Sequence, residues 1–180
     1  MLLAGRNAKY NQRIPLPTGI VNGQGLGAVS DVKFGICTLR RHGCGVLAVY
    51  NALLLHQITL PLWQVVRRME RYAVLLAIFG TNPYALGRAL KSFGLCSVRC
   101  KTKEKLYAAL AQGQHALFAY WTGKPFLSSI HIVCLQSGGE QLLVLNAYNR
   151  CDHAVAVSPQ EMIGSSKMVA AFAIVPHDAL

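Results

Sequence analysis

Three residues, Cys44, His131 and Asn146, have the types and the spacing for nucleophilic catalysis by a thiol. Cys44 stands in His42-Gly43-Cys44-Gly45, at the start of an apolar run that predicts a buried helix. Unpaired amides and the positive end of the helix dipole favour a thiolate there. The flanking glycines leave room for a substrate to approach the sulfur. Cys44 is therefore the candidate nucleophile, although a lone cysteine opening an apolar helix is more often a small buried hydrophobe.

Support for the catalytic interpretation comes from a predicted β-hairpin that carries His131 and Asn146. A two-residue turn at Gly138-Gly139 places these residues directly opposite each other, with Cβ atoms about 5 Å apart. At that distance the asparagine side-chain oxygen accepts a hydrogen bond from one ring nitrogen, and the other ring nitrogen is free to take a proton from a thiol. The hairpin thus predicts the Cys-His-Asn form of the catalytic triad, with His131 as base and Asn146 as the group that orients it.

The segment from Gly43 to Leu53 resembles the nucleophile helix of compact bacterial papain-like cysteine peptidases, particularly the bacteriocin-processing peptidase domains associated with ABC transporters. Gly80-Thr81, Ser129 to Val133 and Leu143 to Asn146 are similar to later blocks of that family, in the same order. The resemblance covers about residues 35–175. It implies a papain-like fold and cleavage or transfer of peptide bonds through a thioester, without a metal or other cofactor.

The chain departs from the family at two positions. Thr38 stands where the family usually places an oxyanion-hole glutamine, and Asn146-Ala147 replaces a common Asp-Pro. Loss of one oxyanion donor typically lowers the rate by about 10² to 10³. Two alternatives to a peptidase or amidase therefore stay open, namely a catalytically weak or inactive domain that binds a peptide or protein, and an acyltransferase on the same triad.

Helices in the first half and strands in the second predict an α+β fold, in which an N-terminal helical layer carries the nucleophile helix and packs on a C-terminal antiparallel sheet. A second helix is predicted from Pro61, with an apolar stripe that runs on to Leu76. Capping patterns predict further helices at 83–93, after Thr102 and at Ser158. Alternating apolar residues predict strands at 96–101, 115–121, 129–136, 141–146, 153–157 and 168–175.

The length of 180 residues favours a single domain over residues 1–180. Residues 1–35 contain Gly, Pro and Asn at short intervals, and we expect a loop-rich leading segment there. Met1 to Ala4 is too short an apolar start for a signal peptide. Because no apolar run reaches the roughly 20 residues of a membrane span, we expect a cytoplasmic protein.

The net charge of +11 favours an acidic partner. We expect a peptide or protein substrate, with acidic peptides favoured by this charge. Nucleic acid is a weaker hypothesis, because no aromatic residues are interleaved with the basic runs as stacking platforms. The six cysteines have no paired spacing, and the set Cys37, His42 and Cys44 matches no standard zinc pattern, so reduced thiols and no metal site are expected.

Overall fold

A computed structural model describes residues 2–176 of the chain. Met1 and residues 177–180, which belong to the predicted domain, lie outside the described residues. Within residues 2–176, no helix combines the length and the apolarity needed to cross a bilayer.

The prediction of a loop-rich leading segment over residues 1–35 is wrong for its first part. Helix α1 spans Leu2–Asn11, and a 3-10 turn at Gly27–Asp31 leads into the short strand β1 at Lys33–Phe34. Helix α1 is held by tertiary contacts that local sequence does not reveal. The Asn11 side chain accepts a hydrogen bond from the Lys33 amide at 2.8 Å and donates one to the Lys33 carbonyl at 2.9 Å.

Strand β2 (Cys37–Thr38) pairs with β1, and the short helix α2 (Leu39–His42) leads into helix α3. Helix α3 spans Cys44–Leu55 and begins at the candidate nucleophile, which confirms the predicted start. Residues 45–53 are all buried, as expected for a helix that is apolar on every face. Gly45 is required for this packing, because a Cβ atom there would lie 2.6 Å from the Thr81 Cβ atom.

Helix α4 is shorter than the apolar stripe predicts. It spans Leu62–Met69 and is followed by a 3-10 turn at Glu70–Tyr72. Ala73 then forms an isolated bridge with Thr81, and the chain from 75 to 77 has left-handed φ values of 45°, 55° and 74°. Leu76 is consequently 61% exposed, and its predicted place on the buried stripe is wrong.

The predicted capping residues of the later helices are confirmed. The Asn82 side chain accepts from the Tyr84 amide at 2.9 Å, ahead of a 3-10 turn (Pro83–Ala85) and helix α5 (Leu86–Ser92). Thr102 caps helix α6 (Lys103–Ala111). Ser158 accepts from the Glu161 amide at 3.1 Å, at the start of a π-helical turn.

A six-stranded antiparallel sheet forms the second half of the α+β fold, with strand order β3-β8-β4-β5-β6-β7. The strands are β3 (Cys96–Arg99), β4 (Ala116–Trp121), β5 (Ile130–Gly138), β6 (Gln141–Leu145), β7 (Val155–Val157) and β8 (Lys167–Val175). The predicted fold class and the helical layer that carries Cys44 are confirmed.

Both faces of the sheet are covered, whereas the sequence predicts a single helical layer. Alternate residues of β5 separate into two clusters, in which Ile132 and Cys134 pack with α3 and α5, and Val133 and Leu135 pack with α6 and Ile163. His131 shares the alternation of Val133 and lies at the second position of β5. Its face of the sheet is therefore the one that packs with α6, and not the one that α3 covers.

The β5–β6 hairpin has a different register from the predicted one. Gly138 pairs with Gln141, so the turn residues are Gly139 and Glu140. Gly139 has a φ of 79°. In this turn the positive φ falls on the first residue, which is Gly139, so the second position accepts Glu140. The predicted register was wrong because it assumed that both glycines occupy the turn.

The shift of two residues keeps each side chain on its predicted face but removes the direct opposition of His131 and Asn146. The ladder between β5 and β6 ends at the Cys134–Leu145 pair, and His131 pairs with Tyr120 of β4. Asn146 follows with a left-handed φ of 58°, so the chain turns out of the strand there.

Two histidines near the sheet predict a loss of stability in mild acid. His56 Nε2 and His115 Nδ1 are buried and have no hydrogen-bond partner among the described residues. Burial lowers the pKa of both rings, and the charge of His115 further lowers the pKa of His56. As the pH falls below about 6.5, these two histidines bind protons in the unfolded chain but stay neutral in the native protein. Their contribution to the free energy of unfolding therefore decreases with falling pH.

We therefore expect His56 and His115 to lower the melting temperature as the pH falls from 7.5 to 5.5. His56→Gln should remove part of that decrease in thermal melts followed by circular dichroism. His153→Gln is the matched control, because His153 is 74% exposed. Equal pH dependence in the wild type and in both variants would contradict this assignment.

Candidate active site

Cys44 is the first residue of α3, and its helix start has no competing side-chain cap. The preceding residue has to be glycine, because a Cβ atom at position 43 would lie 2.6 Å from the Leu39 carbonyl oxygen. Cys44 is half-buried and lines an open cleft together with His131. The sulfur thus lies at the positive end of the helix dipole and faces the cleft wall that carries the candidate base.

His131 and Cys44 line the same cleft and lie close enough for each side chain to shift the pKa of the other. Burial raises the pKa of the Cys44 thiol, but the hydrogen bond and charge of His131 and the backbone amides of Ile132 and Gly45 outweigh burial and lower it. Burial lowers the pKa of His131, but the hydrogen bond and charge of Cys44 and the carbonyls of Asn146 and Ala147 outweigh burial and raise it. These opposite shifts favour a thiolate beside an imidazolium.

Asn146 reaches His131 through its backbone. His131 Nε2 lies 2.9 Å from the Asn146 carbonyl oxygen. Because a carbonyl oxygen only accepts, Nε2 carries the hydrogen and donates it, and Nδ1 is left for Cys44. The prediction that the Asn146 side chain accepts from His131 is wrong in the group it names, since register and backbone turn bring the carbonyl to the ring. The catalytic roles of Cys44, His131 and Asn146 stay predictions.

The Asn146 side chain is bound to the leading segment. It is fully buried, and its Oδ1 atom accepts from the Gln24 amide at 3.1 Å. Its Nδ2 atom donates to Gln24 Oε1 at 3.2 Å, and its backbone amide donates to Asn22 Oδ1 at 2.7 Å. Asn146 is thereby held from the side opposite to its carbonyl contact with His131.

Tyr120 packs against the other side of the His131 ring. The two ring centroids are 6.0 Å apart in an edge-to-face arrangement. Burial, together with the charges of Tyr148 and Cys44, raises the pKa of Tyr120 to about 12. Its neutral ring therefore limits the rotation of His131 without adding charge to the site.

The cleft around Cys44 combines basic and aromatic surface. Arg40, Arg41 and His42 line it near the start of α3. Its aromatic lining includes the exposed side chains of Phe79, Phe126 and Tyr148, as well as Tyr120 and Trp121. Such a surface suits an extended chain with apolar and acidic side chains.

Sequence reasoning missed Asn22, Gln24 and Tyr120. Thr38, which occupies the family's glutamine position, lies in β2 and pairs with Lys33. Gln24 is the glutamine that lines the cleft, 20 residues ahead of Cys44 along the chain. The available signal was Gly23-Gln24-Gly25, a polar residue between two glycines in a segment otherwise interpreted as loop.

No family model matches the sequence, and a search of curated proteins found no match. Solved structures of low sequence identity do match the fold. The peptidase domain of Streptococcus ComA, a bifunctional ABC transporter of a quorum-sensing pathway, is 13% identical with a TM-score of 0.52, over 76% of this chain and 93% of that domain. A protein from Bacillus anthracis described as a C39-like peptidase is 14% identical with a TM-score of 0.54, over 91% of this chain and 97% of its own.

A further match is a double-glycine-motif protease from an AMS/PCAT transporter, solved with its leader peptide. It is 18% identical with a TM-score of 0.49, over 73% of this chain and 84% of that one. The ComA and Bacillus matches show that this chain shares the fold of these two peptidase domains, which agrees with the fold that the resemblance implies.

The Cys44–His131 pair predicts selective alkylation. With limiting iodoacetamide at pH 6, we expect Cys44 to be labelled first, because only a thiolate reacts at an appreciable rate. Cys134 is expected to stay unlabelled, because burial raises its pKa to about 12. Peptide mapping by mass spectrometry identifies the labelled site.

His131→Gln is expected to move the rise of Cys44 labelling to higher pH, because burial, which raises the pKa of the thiol, is then opposed only by the backbone amides of Ile132 and Gly45. His42→Gln is the matched control, since His42 lines the same cleft but makes no contact that lowers the pKa of Cys44. Labelling of Cys44 at the same rate in the wild type and in His131→Gln would contradict the pairing.

Asn146 also provides a stability test. Asn146→Ala and Asn146→Gly remove the same two buried hydrogen bonds of the side chain. They differ in the backbone, because alanine is strained at the φ of 58° whereas glycine adopts it freely. We expect Asn146→Ala to be less stable than Asn146→Gly by about 1 kcal/mol, measured by urea unfolding. Equal stability of the two variants would show that this backbone conformation is not maintained.

Proposed function

We propose that this chain is a cysteine hydrolase, a peptidase or an amidase, in which Cys44 is the nucleophile and His131 the base. The observation that carries the proposal is that Cys44 and His131 line one open cleft, with Nε2 of His131 bound to the Asn146 carbonyl at 2.9 Å and its other ring nitrogen left for the sulfur. One ring nitrogen is thus held as a donor while the other exchanges a proton with sulfur, as an activated nucleophile requires.

In acylation, His131 Nδ1 holds the proton of Cys44, and the thiolate attacks the carbonyl carbon of the substrate amide. A carbon–sulfur bond forms, and negative charge develops on the carbonyl oxygen. The imidazolium then transfers its proton to the leaving nitrogen as the carbon–nitrogen bond breaks. The products of this half-reaction are a free amine and a thioester on Cys44.

In deacylation, His131 takes a proton from water as the water oxygen attacks the thioester carbon. The carbon–sulfur bond breaks, a carboxylic acid leaves, and the thiolate beside the imidazolium is restored. An amine that enters in place of water leads to acyl transfer on the same residues. The difference between a hydrolase and an acyltransferase therefore lies in which nucleophile reaches the thioester.

The backbone at the start of α3 supports stabilisation of the developing oxyanion. First-turn amides of a helix have no acceptor within the helix, and Gly43 supplies no side-chain cap. The Cys44 amide is our candidate donor, and the helix dipole adds to its effect. The position of Thr38 in β2 leaves the family's second, side-chain donor unassigned.

Peptides are the proposed substrates, since the matched structures are named as peptidases. The basic residues Arg40 and Arg41 and the aromatic residues of the cleft favour peptides that combine acidic and apolar side chains. The second candidate function is a peptide-binding domain with weak or no catalysis, and Thr38 is the observation that favours it.

We expect the wild type to cleave members of a mixed library of internally quenched peptides rich in Glu, Leu and Phe. Cys44→Ala should abolish cleavage, and His131→Ala should lower kcat/KM by about 10³-fold or more, because it removes the base itself. Cys151→Ala is the matched control, as Cys151 is partly exposed and lies outside the residues that line the cleft. Fluorescence release and mass spectrometry of the products measure the effect.

Peptide binding without turnover, together with slow alkylation of Cys44, would reject the hydrolase and favour the binding domain. Turnover that increases when a primary amine is added, with the amine found in the product, would assign the chain as an acyltransferase.

A further inference from the structure

Asn22 and Gln24 contact Asn146 from a part of the chain more than 120 residues away. These contacts occupy the Asn146 backbone amide and both polar atoms of its side chain, at 2.7, 3.1 and 3.2 Å. The remaining polar group of Asn146, its carbonyl oxygen, accepts from His131 Nε2 at 2.9 Å. Every polar group of this buried residue therefore has a hydrogen-bond partner. Asn22 and Gln24, in the leading segment, provide three of the four contacts.

We propose that Asn22 and Gln24 are positioning residues, which hold Asn146 so that its carbonyl oxygen fixes the tautomer and orientation of His131. This inference rests on the proposed function, because it concerns the same Cys44–His131 pair. The Asn146 side chain then acts on the ring indirectly, through the conformation of its own backbone.

The glycines beside Gln24 support this role independently. A Cβ atom at Gly25 would lie 2.5 Å from Asn149 Oδ1, and one at Gly23 would lie 2.7 Å from the Cys151 carbonyl oxygen. The Gly25 amide also donates to the Asn149 carbonyl at 2.8 Å. The segment around Gln24 thus lies directly against the chain that follows β6, and only residues without a side chain allow that approach.

The polar atoms of Gln24 are already engaged. Its Nε2 atom donates to the Arg40 carbonyl at 3.4 Å, and its Oε1 atom accepts from Asn146. Gln24 therefore joins the segment that leads into Cys44 to the turn that holds His131. The left-handed φ of Asn146 is stabilised by these contacts, since asparagine visits that region at a cost unless local hydrogen bonds offset it.

The test measures the iodoacetamide alkylation rate of Cys44 between pH 5 and 9.5. Gln24→Met removes both amide atoms at similar volume, and Gln64→Met in α4 is the matched control outside the cleft. We expect Gln24→Met to lower the rate at pH 6 about tenfold, equivalent to a change of about 1 in the apparent pKa of Cys44. We expect the rate of Gln24→Met at pH 9.5 to stay at the wild-type value. The Gln64→Met profile should match the wild type at every pH.

Asn22→Ala provides a second variant at a half-buried position and should shift the Cys44 profile in the same direction. Labelling of the buried Cys134 reports global opening, which raises the reactivity of all thiols instead of shifting one profile. One outcome is that wild-type Cys44 reacts at pH 6 and the Gln24→Met and Asn22→Ala profiles coincide with it. That result would overturn the positioning role and leave the proposed function intact. A wild-type Cys44 that reacts only as an ordinary thiol would overturn both.

Discussion

The packing of helix α3 against strand β5 is the constraint on which the site depends. A helix whose residues 45–53 are all buried has one place in this fold, between the sheet and the surrounding helices. That placement carries Cys44, at its exposed end, to the first residues of β5. Gly45 allows the closest approach, since it leaves room for Thr81 and Ile132 beside the helix. A larger residue would push α3 away from β5 and separate Cys44 from His131.

Electrostatics within this packing favours the charged forms of Cys44 and His131. Burial alone would make the thiol and the imidazole neutral, because a low-dielectric environment penalises both charges. The mutual hydrogen bond, the backbone amides at Cys44 and the Asn146 and Ala147 carbonyls at His131 reverse that tendency. These contacts come from the start of α3, the start of β5 and the turn after β6, so Cys44 and His131 meet only when all three are assembled.

The leading segment completes the assembly. Gln24 contacts both Arg40, four residues before Cys44, and Asn146, whose carbonyl accepts from His131. A stretch without regular secondary structure is thereby ordered by buried hydrogen bonds at its polar side chains. In the unfolded chain these groups are bonded to water, so each hydrogen bond adds only about 1 kcal/mol to stability. Their larger contribution is geometric, because together they define the direction of one carbonyl oxygen.

The sequence by itself determined the α+β class, the start of α3 at Cys44 and the capped starts near Asn82 and Thr102, since these features depend on local periodicity and capping. It also singled out His131 and Asn146, through hairpin pairing and family resemblance. Only the tertiary structure decided which group of Asn146 reaches His131. Hairpin register depended on a single glycine φ, and the contact of Gln24 with Asn146 spans 122 residues. Two adjacent glycines allow more than one position for a two-residue turn, so local sequence leaves the register open. A long-range hydrogen bond leaves no periodic pattern in the sequence, because it forms only when distant segments pack.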